Sequence, residues 1–202
     1  MAIFLRANGV RSRQAILDRA LDMAATAGLH AATIGALSAA LGMSKSGVFA
    51  HFGSKESLDL AAIDTAAERF ARGVLAPAGT APPGIARVAA LCEGFLAFVT
   101  PAPGDPARLP PGHAAFGVSP PPLARARLAA WRAAWRDALS ASVAEAIARG
   151  EMAAASDPAQ AVFELCALLD AAAHGMRDEP PAVVVTRTRH AIDRALVTWS
   201  GA

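Results

Sequence analysis

The chain has no tyrosine, and aromatic residues of every kind make up only 5% of its 202 positions. Strand-built sandwiches and barrels rely on aromatic and β-branched residues alternating with polar ones, and little such alternation is present. Only two cysteines occur, Cys92 and Cys166, far apart and outside metal-ligand spacing. That excludes a disulfide framework as an organising principle and fits a reducing, cytoplasmic setting. The longest apolar stretch, Ala159 to Met176, is broken by Glu164 and Asp170, which makes it a poor membrane span. The opening MAIFLR lacks the basic-then-apolar order and cleavage site of a secretory signal. Catalytic signatures are missing too: there is no nucleophile elbow, Walker loop or dinucleotide fingerprint. His113, His174, His190 and the two cysteines are scattered, so an enzyme is the least favoured reading, and nothing calls for a cofactor or metal.

What the chain does have is helix-forming residues. Its hydrophobic fraction is 54% with a mean hydropathy of +0.35, and much of that is alanine, the best helix former. An all-α fold follows, in a chain long enough to bury a substantial core. Charge is unevenly spread. Residues 1–56 carry six Lys/Arg against three Asp/Glu, while residues 57–202 carry thirteen against fourteen. A basic head on a near-neutral body fits an anionic partner met at one end.

The most informative stretch is Leu41 to Glu56, LGMSKSGVFAHFGSKE. Gly42 can end one helix, because it accepts positive φ without steric cost. Ser44 then reads as an N-cap, and Gly53 followed by Ser54 repeats the stop-and-cap pattern. A short helix, roughly Lys45 to His51, is left between two tight turns. Val48 and Phe52 share one face and anchor it, leaving Lys45, Ser46, Gly47, Ala50 and His51 largely outward. Small residues permit close approach to a major groove, and the cation and hydroxyl supply donors. Upstream, residues 1–10 read as a flexible arm, and Ile16, Leu17, Ala20, Leu21 and Ala24 mark a first helix ended by Gly28. Thr33 caps a second helix bearing Ile34, Leu37 and Leu41, and its hydroxyl could also donate to a phosphate. Three short helices sharing one core make a minimal helix-turn-helix unit.

These residues, with Lys55, Glu56 and Leu58 beginning a fourth helix, resemble the DNA-binding domain of the TetR family of bacterial transcriptional regulators. The resemblance covers residues 11–63. It implies a three-helix DNA-binding domain, residues 1–56, followed by a larger helical effector-binding and dimerisation domain, residues 57–202. It also implies a homodimer on double-stranded DNA carrying a pseudo-palindromic operator, with Thr33, Ser44, Lys45, Ser46, Gly47, Phe49, Ala50, His51 and Lys55 at the DNA. Two positions depart from the family pattern. Gly35 and Ala36 replace the charged or polar residues common after the cap, and Phe49 stands where tyrosine is common.

The fourth helix, about Ser54 to Leu75, buries Leu58, Ala62, Phe70 and Val74, and the resemblance makes it the lever between effector and DNA. Pro77 to Gly84 break the chain before a helix at about Ile85 to Thr100. Pro101 to Pro122 holds eight prolines and three glycines and reads as loop, with a helical turn near His113 to Phe116. Residues 123–149 form a long amphipathic helix with Leu128, Trp131, Trp135, Leu139, Val143 and Ile147 as its stripe. Asp157-Pro158-Ala159-Gln160 opens the next helix as a capping-box variant. That helix is apolar nearly all round, so both sides must be covered, and one side can meet the domain core while the other meets a second subunit. The family resemblance implies that the last two helices form the dimer interface, with Val162, Leu165, Leu169, Val184, Ile192, Leu196 and Trp199 expected there. A pocket for a small hydrophobic or aromatic effector is expected at Cys92, Phe95, Trp131, Trp135 and Phe163. The expected function is a repressor released from its operator by that ligand. The alternative is an effector-independent DNA-binding dimer whose alanine-rich larger domain is a solid core.

Overall fold

A computed structural model describes residues 2–102, 108–110, 113–117, 120–153 and 157–200. Among these residues the regular structure is helical throughout, as the composition requires. Helix α1 runs Ala2–Ala27 and meets a single 3-10 turn at Leu29–Ala31. The backbone of 2–10 is therefore helical and extends α1, in place of the expected flexible arm. Ile16, Leu17, Ala20, Leu21 and Ala24 are buried along α1. They pack with Leu37 of α2 (Ile34–Leu41), Val48 of α3 (Lys45–Phe52) and Leu58 of α4 (Lys55–Phe70).

On α4 the buried positions Leu58, Ala62, Ala66 and Phe70 fall every four residues and continue to Val74. Such a spacing keeps one stripe facing the core along the whole rod. The rod does not stop at Phe70. It passes through a π turn, Ala71–Leu75, into a helical turn α5, Ala76–Gly79. Pro77 explains the widening: it has no N–H to donate, and its ring crowds the carbonyl four residues earlier, at Gly73.

Helices α6 (Ile85–Val99), α7 (Pro122–Ala148), α8 (Pro158–Gly175) and α9 (Pro181–Ser200) complete the larger domain. Helix α7 packs on α4, α6 and α8, and α9 packs on α8 and α6. The expected stripe of α7 is buried from Leu128 to Val143, with Ile147 partly exposed at its end. Phe70 is the hub of the core. Its ring stands edge-on to those of Phe95, Phe98, Trp131 and Trp135, at 5.2–6.0 Å between centroids. Edge-to-face pairs add to the burial of each ring, so this cluster ties α4, α6 and α7 together.

The start of α6 is closed from a distance. The Glu151 carboxylate accepts a hydrogen bond from the Ile85 backbone N–H at 2.8 Å. Gly84 makes room for it: φ is +92°, and a Cβ there would lie 2.2 Å from Glu151 Oε2. Arg149, bonded to Glu151 at 2.7 Å, holds that carboxyl below its usual range, helped by the Ile85 N–H.

Candidate DNA interface and effector cleft

The head is assembled by caps. Thr33 Oγ1 accepts from Ala36 N, Ser44 Oγ from Gly47 N and Ser54 Oγ from Ser57 N, each at 3.0 Å. Gly42 takes φ +64° between α2 and α3, a left-handed conformation that a Cβ would penalise. So α3 leaves the turn in a fixed direction. Val48 is fully buried beneath it, Phe52 packs partly on the core, and the Arg13 guanidinium lies 5.0 Å from the Phe52 ring centroid.

Lys45, Ser46, Phe49 and Ala50 are exposed on the opposite side of α3, while Gly47 and His51 are half-covered. Phe49 is 51% exposed, high for a phenylalanine, so it is not a core residue. Thr33 and Ser44 also lie at the surface, with their hydroxyls already accepting cap bonds. Ser46 Oγ is 3.1 Å from Ser44 Oγ, which positions the hydroxyl at the start of α3. Lys55 is engaged elsewhere. Its Nζ donates to the Leu29 carbonyl at 3.0 Å and pairs with Asp59. Burial raises the Asp59 pKa, opposed by the hydrogen bond and charge of Lys55.

An ion pair that no local pattern signals joins the head to the lever: Arg69 on α4 binds Asp18 on α1, 51 residues away. On the far side of α4, Arg127 of α7 meets Asp64 through both carboxylate oxygens at 2.7 Å.

In the larger domain, Phe95, Trp135 and Phe163 line one cleft of about 370 Å³ together with Arg132, Cys166 and Asp170. Cys92 and Trp131 are not in its lining. They are buried in the core, where burial pushes the Cys92 thiol up to about 12. Asp170 is raised by burial, and Cys166 is raised by burial and by Asp170. A second short element, the 3-10 turn Ala114–Phe116, packs its chain against the end of α1. His113 Nδ1 accepts from Ala115 N at 3.0 Å, and Arg177 Nη2 lies 3.0 Å from its Nε2. Burial first, then Arg177 and His174, push the His113 pKa down to about 4. Among the described residues no group of three His, Cys, Asp or Glu is placed to hold a metal ion, and no helix is long and apolar enough to cross a membrane.

Residues 84–192, more than half of the chain, match the family model for the Tetracyclin repressor-like C-terminal domain. Residues 16–62 match the model for bacterial regulatory proteins of the tetR family. The chain belongs to the TetR family. It is a DNA-binding transcriptional regulator of that family, with a helix-turn-helix head and a larger helical domain. No curated protein matches it significantly by sequence. A TetR transcriptional regulator from Chloroflexus aurantiacus J-10-FL has the same fold, with 23% identity, 96% of this chain and 95% of that one covered, and a TM-score of 0.73. A TetR-family transcriptional regulator from Streptomyces coelicolor gives 21% identity, 96% and 97% coverage, and a TM-score of 0.75. AibR, whose structure was solved with isovaleryl coenzyme A and operator DNA, gives 20% identity, 78% and 83% coverage, and a TM-score of 0.62.

For a TetR-family chain the last two helices invite comparison with a partner, and here the expected interface needs correction. Val162, Leu165, Leu169, Val184, Ile192 and Leu196 are all buried within the chain itself, and Trp199 partly so. A side chain covered by its own domain has no area left for a second subunit. The sides of α8 and α9 open to solvent carry Phe163 at 64% exposure, Val197 at 56% and Val183. Phe163 thus stands both at the cleft and on an outer face. The signal that could have found these positions was present: in an all-round apolar helix, the residues off the densest stripe are the ones left outward.

Proposed function

We propose that the protein is a homodimeric repressor that leaves a pseudo-palindromic operator when a small hydrophobic or aromatic molecule enters its larger domain. The observation that carries this reading is the outward side of α3. Eight helical residues span about 12 Å, close to the roughly 12 Å width of the B-DNA major groove. Lys45 and Ser46 face base edges, Gly47 and Ala50 let the helix approach closely, and Phe49 meets a thymine methyl or a sugar. Thr33, Ser44, His51 and Lys55 contact phosphates. For Lys55 that contact requires exchanging Asp59 and the Leu29 carbonyl for the phosphate.

Dimerisation uses the open sides of α8 and α9, with Phe163, Val183 and Val197 as apolar anchors. The effector enters the cleft at Phe95, Trp135 and Phe163, whose lining is mainly apolar and aromatic. Release follows when the ligand binds one separation of the two heads more tightly than the other. AibR supports the two binding functions, since its structure holds an acyl thioester and operator DNA together.

A second reading has its own support. The Phe70 cluster fills the middle of the larger domain with interlocked rings, as a domain that only dimerises would require. One experiment separates the two. Labelled DNA from upstream of the protein's own gene is titrated with protein at two salt concentrations, beside scrambled DNA and Lys45→Ala. The repressor reading expects tight dimeric binding to the upstream DNA and eroded preference in Lys45→Ala. Removing a cation that neutralises one phosphate should lower the salt slope by about one. A hydrophobic ligand screen on the same complex should then find a releaser. Equal binding to both DNAs removes the sequence-specific part, and no releaser favours the effector-independent dimer.

A further inference from the structure

The cleft between α6, α7 and α8 holds charges of both signs that do not meet. Arg132 and Arg136, one turn apart on α7, and Asp170 of α8 line the same space of about 370 Å³. Five other arginines of the larger domain each reach a carboxylate: Arg87, Arg127, Arg149, Arg187 and Arg189. Arg132, Arg136 and Asp170 make no hydrogen bond or ion pair among the described residues. Burial alone raises the Asp170 pKa, with no donor to offset it. The Cys166 thiol between them is raised by burial and by Asp170 and held down in part by Arg136, so both charges act on the inside of the cleft.

The rest of the lining is aromatic. Positions 132, 135 and 136 share one face of α7, so the two guanidinium groups flank the Trp135 indole. Trp135 stacks on Phe95, with ring centroids 5.6 Å apart and planes tilted by 29°. Phe163, 64% exposed, adds a third ring from α8. Aromatic rings favour a further ring, stacked or edge-on. Guanidinium groups favour carboxylates through paired, charge-assisted N–H bonds. A plain hydrocarbon would cover all three charged groups without giving any of them a partner, which is costly.

We infer that the cleft binds an aromatic carboxylate that also carries a hydrogen-bond donor. Its carboxylate lies on Arg132 and Arg136, its ring against Trp135 and Phe163, and its donor on Asp170. That this acid is the effector rests on the repressor reading; the binding itself does not.

The test therefore begins without DNA. The full chain is titrated calorimetrically with indole-3-acetate, with its uncharged amide indole-3-acetamide, and with 1-naphthylacetate, which keeps the acid but lacks the ring N–H. The titrations are repeated with Arg132→Ala, Arg136→Ala and Asp170→Ala. All three residues are open to solvent on one side, so circular dichroism of the variants should match the parent. Indole-3-acetate should bind tightest, and the amide about tenfold or more weaker. Each arginine variant should lose a similar factor for the acid, as expected when one charge-assisted bond is removed. The preference for indole-3-acetate over 1-naphthylacetate should vanish in Asp170→Ala. The inference is overturned if indole-3-acetate does not bind, if the amide binds as tightly, or if both arginine variants bind the acid undiminished. It is equally overturned if 1-naphthylacetate binds as well as indole-3-acetate, or if the preference survives loss of Asp170. The two readings fail separately. Binding of the amide but not the acid sinks this inference and leaves an uncharged effector in place. Binding of the acid with the operator complex left intact sinks the effector role and leaves this inference standing.

Discussion

In the head, every helix start from Thr33 to Ser57 is closed by a hydroxyl three residues away. In the larger domain, α6 is closed by Glu151, 66 positions along the chain, and the core is centred on a phenylalanine whose ring partners come from α6 and α7. The head is built from neighbours in sequence, and the body from neighbours in space. Such a division suits a regulator: the part that must present one fixed surface is locally determined. The larger domain, to which the proposed function assigns the response, is held by long-range packing.

The largest test of that contrast is Phe70→Ala. Removing a fully buried ring with four aromatic neighbours should cost about 3–5 kcal/mol, read from urea unfolding followed by circular dichroism. Next comes Ser44→Ala, which deletes a single local cap and should cost about 1 kcal/mol in the same assay. If removing the cap had no measurable cost, the head would not be held locally. DNA affinity should fall more than stability does, because the cap sets the direction in which α3 leaves the turn.

A third test probes the contact between body and head. His113 is held near a pKa of about 4 against its ordinary 6.5, so the folded chain carries fewer protons than the unfolded chain between those values. Its contribution is therefore present above pH 6.5 and is lost as pH falls toward about 4. Protonation also removes the acceptor for Ala115 N–H and so loosens the turn packed on α1. The melting temperature should drop between about pH 7 and pH 5, and by less in His113→Asn, whose amide oxygen can still accept. An equal drop in both proteins would take His113 out of the account. The smallest effect is expected from Arg189→Ala. Its forked bond to Glu93 links α9 to α6, but both side chains are 49% exposed, and exposed pairs contribute under about 1 kcal/mol.

The same division decides what can be read from sequence. Gly42, Ser44, Gly53 and Ser54 place α3 to within a residue, because caps and turns act over three or four positions. The α7 stripe is legible for a similar reason, since helical periodicity alone puts Trp131 and Trp135 on one side. Burial direction in α8 is not legible. Val162 and Leu165 belong to an apolar surface that wraps the helix, and only the packing of α7 and α9 decides which part turns inward. The Arg69–Asp18 pair and the Glu151 cap join residues too far apart for any spacing rule. Pro77 reads as a break, yet it widens the rod at the π turn without ending it, because the flanking residues still pack.

The lack of tyrosine, taken with where the indoles sit, makes this protein its own optical instrument. Near-ultraviolet emission must come from three tryptophans. Trp131 and Trp135 are buried against Phe70, and Trp199 is half-covered on the last helix, its carbonyl accepting from Ala153 N at 2.7 Å. Replacing Trp199 with phenylalanine would leave a chain whose fluorescence reports only on the ring cluster beside the Phe95–Phe163 cleft. The ligand occupancy proposed for the larger domain could then be followed without a dye, in the same cuvette in which DNA binding is measured.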